Sequence, residues 1–497
     1  MWRLFVTYLA LARANGFFKL MLIMTKSLFS IFTVCACAVV TTKSAEAWWP
    51  QFRGPNASGI SESARPPVEF GPGTNQLWKV TAPPGMSSPC VWRDQIFLTG
   101  FEGGKLLTLC YQRSNGKLLW KQDAKAEKLE DFHATEGSPA ASTPATDGKR
   151  VVSYFGSCGL VCYNTKGKEL WRHPLPTAQT SGGFGSGCSP VIVDGLVLLN
   201  RDQVTGCSLL AVDLKTGKKV WEAARTDVSP GFGTPIFWKN NGAKEVVMPG
   251  SFKLKGYDLK TGVERWSLAG MPSFTCTTPV VGPEMLYFAG WSPGKEAGTG
   301  PSWEGMVKPA DKDNDGVVTL DEAKATHLDG FFKSLDFNAD GKLTPEDLTS
   351  LQAMMAKGEN VLVAVKPGGN GVLTDGQIAW KQTRGLPYVP SPLFYKDRVY
   401  IVRDGGIVSS YDAKTGNAYY QQERIDALGN YYASPVAAAG HIYVVSLNGK
   451  VTVLAAGGEM PKILHQANFG ERISATPALV GKALYLRTAT ALYAFGK

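Results

Sequence analysis

The sequence predicts an all-β protein, an eight-bladed β-propeller carrying a small α-helical insertion. Three observations carry this prediction. A Ser/Thr-Pro pair occurs eight times, at Ser88-Pro89, Thr143-Pro144, Ser189-Pro190, Thr234-Pro235, Thr278-Pro279, Ser391-Pro392, Ser434-Pro435 and Thr476-Pro477. The prolines are 55, 46, 45, 44, 113, 43 and 42 residues apart, a period typical of a four-stranded blade with one overlong interval. Finally, the last unit ends on its third strand, "ALYAFGK", while an orphan fourth strand, "NQLWKV" with Trp78, precedes the first unit. Joining the two closes the ring and removes both open sheet edges.

The elements follow in chain order. Residues 1–47 read as a targeting segment: "MTKSLFSIFTVCACAVVTTKSAEA" has a basic start, an apolar stretch and a small-residue end at Ala45-Glu46-Ala47. Its apolar stretch is short for a membrane span, so export to the periplasm or the extracellular space is expected. A lipid-anchored form through Cys37 is the alternative. Residues 48–74 form an N-terminal extension. The propeller runs over 75–294 and resumes over 360–497, interrupted by an insertion at 295–359.

Each unit has one grammar. In "CSPVIVDGLVLLNRDQVTGCSLLAVDLKTGKKVWEA" (188–223) a strand starts at the Ser-Pro and turns at Asp194-Gly195, and a fourth strand carries Trp221. An aromatic falls four residues after a turn glycine in "SNGKLLW", "TKGKELW", "KTGKKVW", "KTGVERW", "TDGQIAW" and "KTGNAYY". Proline at a strand start and glycine at hairpin turns suit their backbone limits.

These blades resemble the quinoprotein-type propeller. "AVDLKTGKKVW" matches the tryptophan-docking motif of pyrroloquinoline quinone (PQQ) dehydrogenases, and "WWPQFRGPNASGIS" is similar to the opening of exported bacterial PQQ-like repeat proteins. The resemblance implies that the docking Trp packs neighbouring blades. It implies two kinds of activity. One is PQQ-dependent oxidation of alcohols or sugars. The other is the partner binding of the outer-membrane assembly lipoproteins, which catalyse nothing. The paired adjacent cysteines that many such dehydrogenases hold over the quinone have no counterpart in this sequence.

The insertion contains "DKDNDGVVTLDE" (311–322), with acidic residues at loop positions 1, 3 and 5, Gly at 6 and Glu at 12. That spacing is the calcium loop of an EF-hand, with Asp311, Asp313, Asp315, the Val317 carbonyl, Thr319 and Glu322 as ligands. A second loop, "DFNADGKLTPED" (336–347), offers Asp336, Asn338, Asp340, the Lys342 carbonyl, Thr344 and Asp347. Asp347 is shorter than Glu, so weaker binding or magnesium tolerance is expected there. The insertion falls between the second and third strands of blade five, which puts it at the funnel mouth.

Arg201, Arg403 and Arg487 lie at similar places near the ends of second strands, and aromatics precede several Ser/Thr-Pro pairs: Phe184, Phe232, Phe274, Tyr388, Tyr431 and Tyr432. One reading is a funnel with an arginine set for an anionic or planar ligand. The other is an arginine ladder that holds blades together. His133 and Glu136 are the best acid/base pair on that face, but no catalytic set is assigned.

The 497 residues carry a formal charge of +10, of which the first 47 hold five Lys/Arg and one Glu, leaving +6. No basic run stands out, which excludes a nucleic-acid partner. Seven cysteines follow residue 47, irregularly spaced and without a C-x-x-C pair; they read as small buried residues with at most one or two disulfides. The expected protein is a monomeric, exported, calcium-binding propeller without a transmembrane segment. It binds a protein partner or small ligand at the funnel face. Calcium is the expected cofactor and PQQ is not; a quinoprotein alcohol or sugar dehydrogenase is the alternative.

Overall fold

The computed structural model describes residues 48–293, 302–338 and 340–497. The leader expected over 1–47 and the first residues of the insertion lie outside the described residues. Eight sheets form, each built on four antiparallel strands, and they make the eight blades of a propeller. Blade three is representative: Val191–Val193, Leu196–Asn200, Ser208–Asp213 and Lys219–Ala224 pair in sequence order.

Burial explains the sequence pattern of each strand. Second and third strands lie between two neighbouring blades, so both faces are covered and the runs are continuously apolar, as in "LVLL" and "VLVAV". Fourth strands are at the rim. They alternate, and in Lys219–Ala224 only Trp221 among the first three residues is buried. Blade eight is completed from the other end of the described chain. Gln76–Thr81 pairs antiparallel with Ala491–Gly496, with Trp78 opposite Ala494.

The recurring Trp and Gly meet between blades. Trp171 of blade two lies over Gly217 in the turn of blade three, and its indole N–H donates to the Leu214 carbonyl at 3.0 Å. Gly217 has φ +70, and a Cβ there would sit 2.5 Å from the ring, so only glycine fits. Trp78, Trp120, Trp221 and Trp380 repeat this contact with Gly116, Gly167, Gly262 and Gly416. Trp266 departs from it. Its indole donates to Glu245 within its own blade, where the ring covers Gly256.

Two non-repeat segments complete the molecule. Residues 48–65 cross the inner strands of the ring. The insertion folds into three helices, α1 (Leu320–Ala325), α2 (Asp329–Leu335) and α3 (Pro345–Ala356), preceded by two short helical turns over 303–310. Pro309 stands in the second of these turns, which is why no full entering helix forms. Val318 and Leu343 exchange both backbone hydrogen bonds at 2.9 and 3.0 Å, and both are buried in the core that the helices share. All seven described cysteines are free thiols. Among the described residues no helix is long and apolar enough to cross a membrane.

Candidate functional site: a capped chamber and an acidic loop pair

The eight Ser/Thr residues that start the blades form one closed ring. The backbone N–H of each donates to the hydroxyl of its counterpart in the next blade, at 2.9–3.3 Å, and Thr476 donates to Ser88 to close the circle. A residue before proline is held extended, which aims each side chain the same way. Every hydroxyl thus spends one of its two acceptor lone pairs on the ring and keeps its O–H to donate.

This ring is the floor of a chamber of about 740 Å³. The wall comes from the connectors that lead into each blade, and Phe184, Phe232, Phe274, Tyr388 and Tyr432 all line it. The remaining expected aromatic, Tyr431, is instead buried, with its hydroxyl donating to the Ala427 carbonyl at 2.7 Å. Above lies the insertion, which contributes Met306, Phe331, Leu335, Leu351 and Met355. It is seated by Lys333 on Asp131 at 2.6 Å, by Ser334 donating to the Gly182 carbonyl at 3.4 Å, and by Phe274 packed against its core.

The chamber has one polar corner. Glu136 accepts from Tyr432 Oη at 2.5 Å and from Arg472 Nη2 at 2.8 Å. Burial alone raises its carboxyl, but Arg472 and Tyr432 outweigh burial and hold it below its ordinary value. His133 stacks on Phe184 with centroids 5.4 Å apart, and its Nδ1 accepts the Glu136 N–H at 3.1 Å. The Glu136 carboxylate is therefore tied to Arg472 and Tyr432, not to the imidazole, so the two do not form a proton relay. Burial pushes the Cys276 thiol on the wall up to about 12, so it stays protonated and is a poor nucleophile.

The three arginines singled out by sequence are elsewhere, and none lines the chamber. Arg201 donates to the Pro176 carbonyl, and its neighbour Asp202 pairs with Arg225 at 2.8 Å, both side chains wholly buried. Arg403 ends its strand, and Asp404 beside it accepts the Tyr431 N–H at 2.7 Å. Arg487 donates to the Pro83, Ser87 and Thr99 carbonyls and to the Ser87 hydroxyl, touching only a smaller recess of about 250 Å³. The physical reason is position: Arg201 and Arg487 are held by backbone carbonyls at the blade edges, while Arg403 Nε is buried without a partner.

PQQ, a flat tricarboxylate, is a poor match for this chamber. Among the described residues the lining has no Arg or Lys, and its one carboxylate is Glu136. The acidic loops match a hard cation better. Carboxylate oxygens of Asp311, Asp313 and Asp315 lie within 4.8 Å of one another, and no basic side chain pairs with them among the described residues. Asp311 takes the Gly316 N–H on one oxygen, while its other oxygen is buried without a partner. Gly316 has φ +83, the turn that directs these carboxylates inward. Glu322 closes the loop by accepting from Lys312 N–H and from Thr319. The second loop repeats the frame with Gly341 donating to Asp336 and Thr344 to Asp347. There Asn338 Nδ2 donates to Asp340 Oδ2 at 3.1 Å, which engages one carboxylate oxygen of the loop.

Fold and site together define an eight-bladed propeller of the quinoprotein-like class. The family profile described as outer membrane protein assembly factor BamB matches residues 104–273 and 334–495, and the chain belongs to that family. Quinohemoprotein alcohol dehydrogenase ADH IIB of Pseudomonas putida is 26% identical over 204 residues, which are 38% of this chain and only 28% of that protein. BamB from Moraxella catarrhalis superposes with a TM-score of 0.53 at 14% identity, over 85% of this chain and 99% of that one. Quinohemoprotein alcohol dehydrogenase from Comamonas testosteroni gives 0.55 at 11% identity, over 92% and 81%. At these identities the structural likeness establishes the fold alone.

Proposed function

We propose that this protein is an exported, calcium-binding propeller that works as a binding or scaffold module and not as an enzyme. The observation that carries the reading is the chamber: large, aromatic-walled and floored by neutral hydroxyls, with its one carboxylate already tied to Arg472 and Tyr432. Such a lining binds: its one carboxylate is occupied, and His133, stacked on Phe184, has no carboxylate partner to build a catalytic set with. The insertion is an EF-hand pair. Calcium sits in 311–322, held by Asp311, Asp313, Asp315, the Val317 carbonyl, Thr319 and both oxygens of Glu322. The second loop, with Asp336, Asn338, Asp340, the Lys342 carbonyl, Thr344 and Asp347, binds more weakly and tolerates magnesium.

Calorimetry is expected to give a dissociation constant on the order of 10⁻⁵ to 10⁻³ M, as for extracellular modules. Glu322→Gln removes half of a charged bidentate ligand and is expected to weaken binding by about tenfold or more, with Asp347→Asn having less effect. Absence of calcium heat in the wild type sinks the metal assignment. The competing dehydrogenase reading is tested by adding PQQ and calcium and following dye reduction with alcohols and aldoses. No turnover is expected; turnover abolished by chelation would overturn the non-enzymatic reading.

A further inference from the structure

We propose that the chamber selects an uncharged, largely aromatic small molecule with hydrogen-bond acceptors, and that calcium on the acidic loops tightens its binding. The inference rests on the binding-module reading above and gives it a ligand class and a control.

Charge decides the class. A ligand inside meets the ring of O–H donors below and aromatic faces on the wall. Among the described residues it meets no ammonium or guanidinium, so an anion would have only neutral hydroxyls and the His133 imidazole to set against its desolvation cost. A cation would have to take Glu136 from Arg472 and Tyr432. A neutral molecule faces neither cost. Its carbonyl or ether oxygens find donors in the ring, and its apolar surface meets Phe184, Phe232 and Tyr388. The volume suits one small molecule and not a protein segment of any length.

The coupling follows from shared side chains. Leu335 of α2 and Leu351 of α3 belong to the buried core between the acidic loops and also line the chamber. Met306 and Met355 pack against that core and line the chamber too. The roof is therefore the underside of the loop pair. Leu335 directly precedes Asp336, the first residue of the second loop, and Val318 and Leu343 tie the two loops together. A cation that orders the loops orders the roof, so a ligand then meets a wall whose ordering cost is already met. By linkage the ligand must tighten calcium by the same factor.

The test uses the whole mature chain and two fluorescent probes. N-phenyl-1-naphthylamine is neutral; 1-anilinonaphthalene-8-sulfonate has a similar body with a negative charge. The neutral probe is expected to bind one to one and to bind more tightly than the sulfonate. Its affinity is expected to rise about fivefold or more from chelator to calcium, at the lower end of usual coupling. Phe232→Ala weakens the neutral probe in both conditions. Glu322→Gln removes most of the calcium effect. Equal or preferred binding of the sulfonate overturns the charge argument. A calcium titration that gives heat while leaving the probe affinity unchanged overturns the coupling and leaves the calcium assignment standing. Loss of the heat itself, with the probe still bound, strikes the calcium assignment and the coupling while the ligand class survives.

Discussion

The propeller channel is covered at both ends by segments outside the repeat, and the two covers are built differently. At one end residues 48–65 enter the ring as backbone. Trp48–Trp49 extends the sheet of blade one, the Pro50 carbonyl accepts from Thr146 of blade two, and Gln51 accepts from Ile192 of blade three. Asn56 exchanges two hydrogen bonds with Phe237 of blade four, and Ile60–Ser61 pairs with blade seven. At Thr146, Ile192 and Phe237 the contact falls three residues beyond the ring hydroxyl, about 10 Å along the strand. At the other end, the cap of three helices rests on the wall through side chains. It leaves and rejoins the propeller at one hairpin, whose strand ends, Gly290 and Val361, are themselves paired. A cover bonded to blades one to four and seven cannot lift without stranding buried backbone groups. A cover hung from one hairpin can shift while the ring stays intact.

The largest effect that tests this contrast is on stability. Trp49 is fully buried, in the core that joins blades one, seven and eight, and its ring lies against the tight turn at Gly54. Trp49→Ala should cost about 3–5 kcal/mol, measured by urea unfolding. Phe331→Ala, in the cap, truncates a side chain that is 51% exposed and should cost under about 1 kcal/mol. Similar losses from the two variants would mean that both covers are equally structural.

A second test concerns pH at the cap's seat. Glu130 is next to Asp131, the partner of Lys333, and its carboxylate accepts from Ser186 N–H and Oγ at 2.9 and 2.6 Å. Burial pushes Glu130 up to about 7, with Ser186 only partly offsetting it. Between the unfolded value near 4.3 and this one, the folded state holds a proton that the unfolded chain has lost. Stability from this group therefore falls as pH rises through that window and is level above it. Integrated, the loss is about 3–4 kcal/mol. Glu130→Gln keeps an acceptor for Ser186 and cannot ionise. Its stability relative to wild type should climb from pH 4.5 to 7 and then flatten. A constant difference across that range would place the carboxylate in contact with solvent or a cation.

How much of this was legible depends on the kind of signal. The glycine-to-tryptophan offset of four marks the turn and the indole, because every blade solves the same docking problem. Trp266 shares the offset yet docks inside its own blade; Gly371–Val372, beyond the insertion, pairs alongside its strand instead. The eight Ser/Thr-Pro pairs counted the blades, but a count of repeats says nothing of their hydroxyls closing a ring. The ladder reading of Arg201 named no partner, and the carboxylate next to it in sequence, Asp202, pairs with Arg225, 23 residues away. The path of 48–65 had no repeat to betray it, and the chamber wall only appears when connectors from different blades converge.

The smallest expected effect separates what holds the threaded cover from what is merely buried in it. Among the described residues three arginines are wholly buried. Arg225 has Asp202, and Arg487 has three carbonyls and a hydroxyl. Arg53 has only the Pro392 carbonyl, at 2.6 Å, while its Nε and Nη1 are without partners. Burial lowers it to about 9, so it stays charged at neutral pH. An uncompensated charge is a cost, and what its side chain returns is mainly the packing of its stem. Methionine keeps that stem and removes the charge. Arg53→Met should therefore leave unfolding free energy within about 1 kcal/mol of wild type, the lost hydrogen bond offsetting the relieved charge. Arg487→Met, which takes the guanidinium from the Pro83 and Ser87 carbonyls, should cost about 3 kcal/mol or more. If the Arg53 variant loses as much as the Arg487 variant, the guanidinium is a fastening of the cover, and backbone pairing alone does not hold it in the ring.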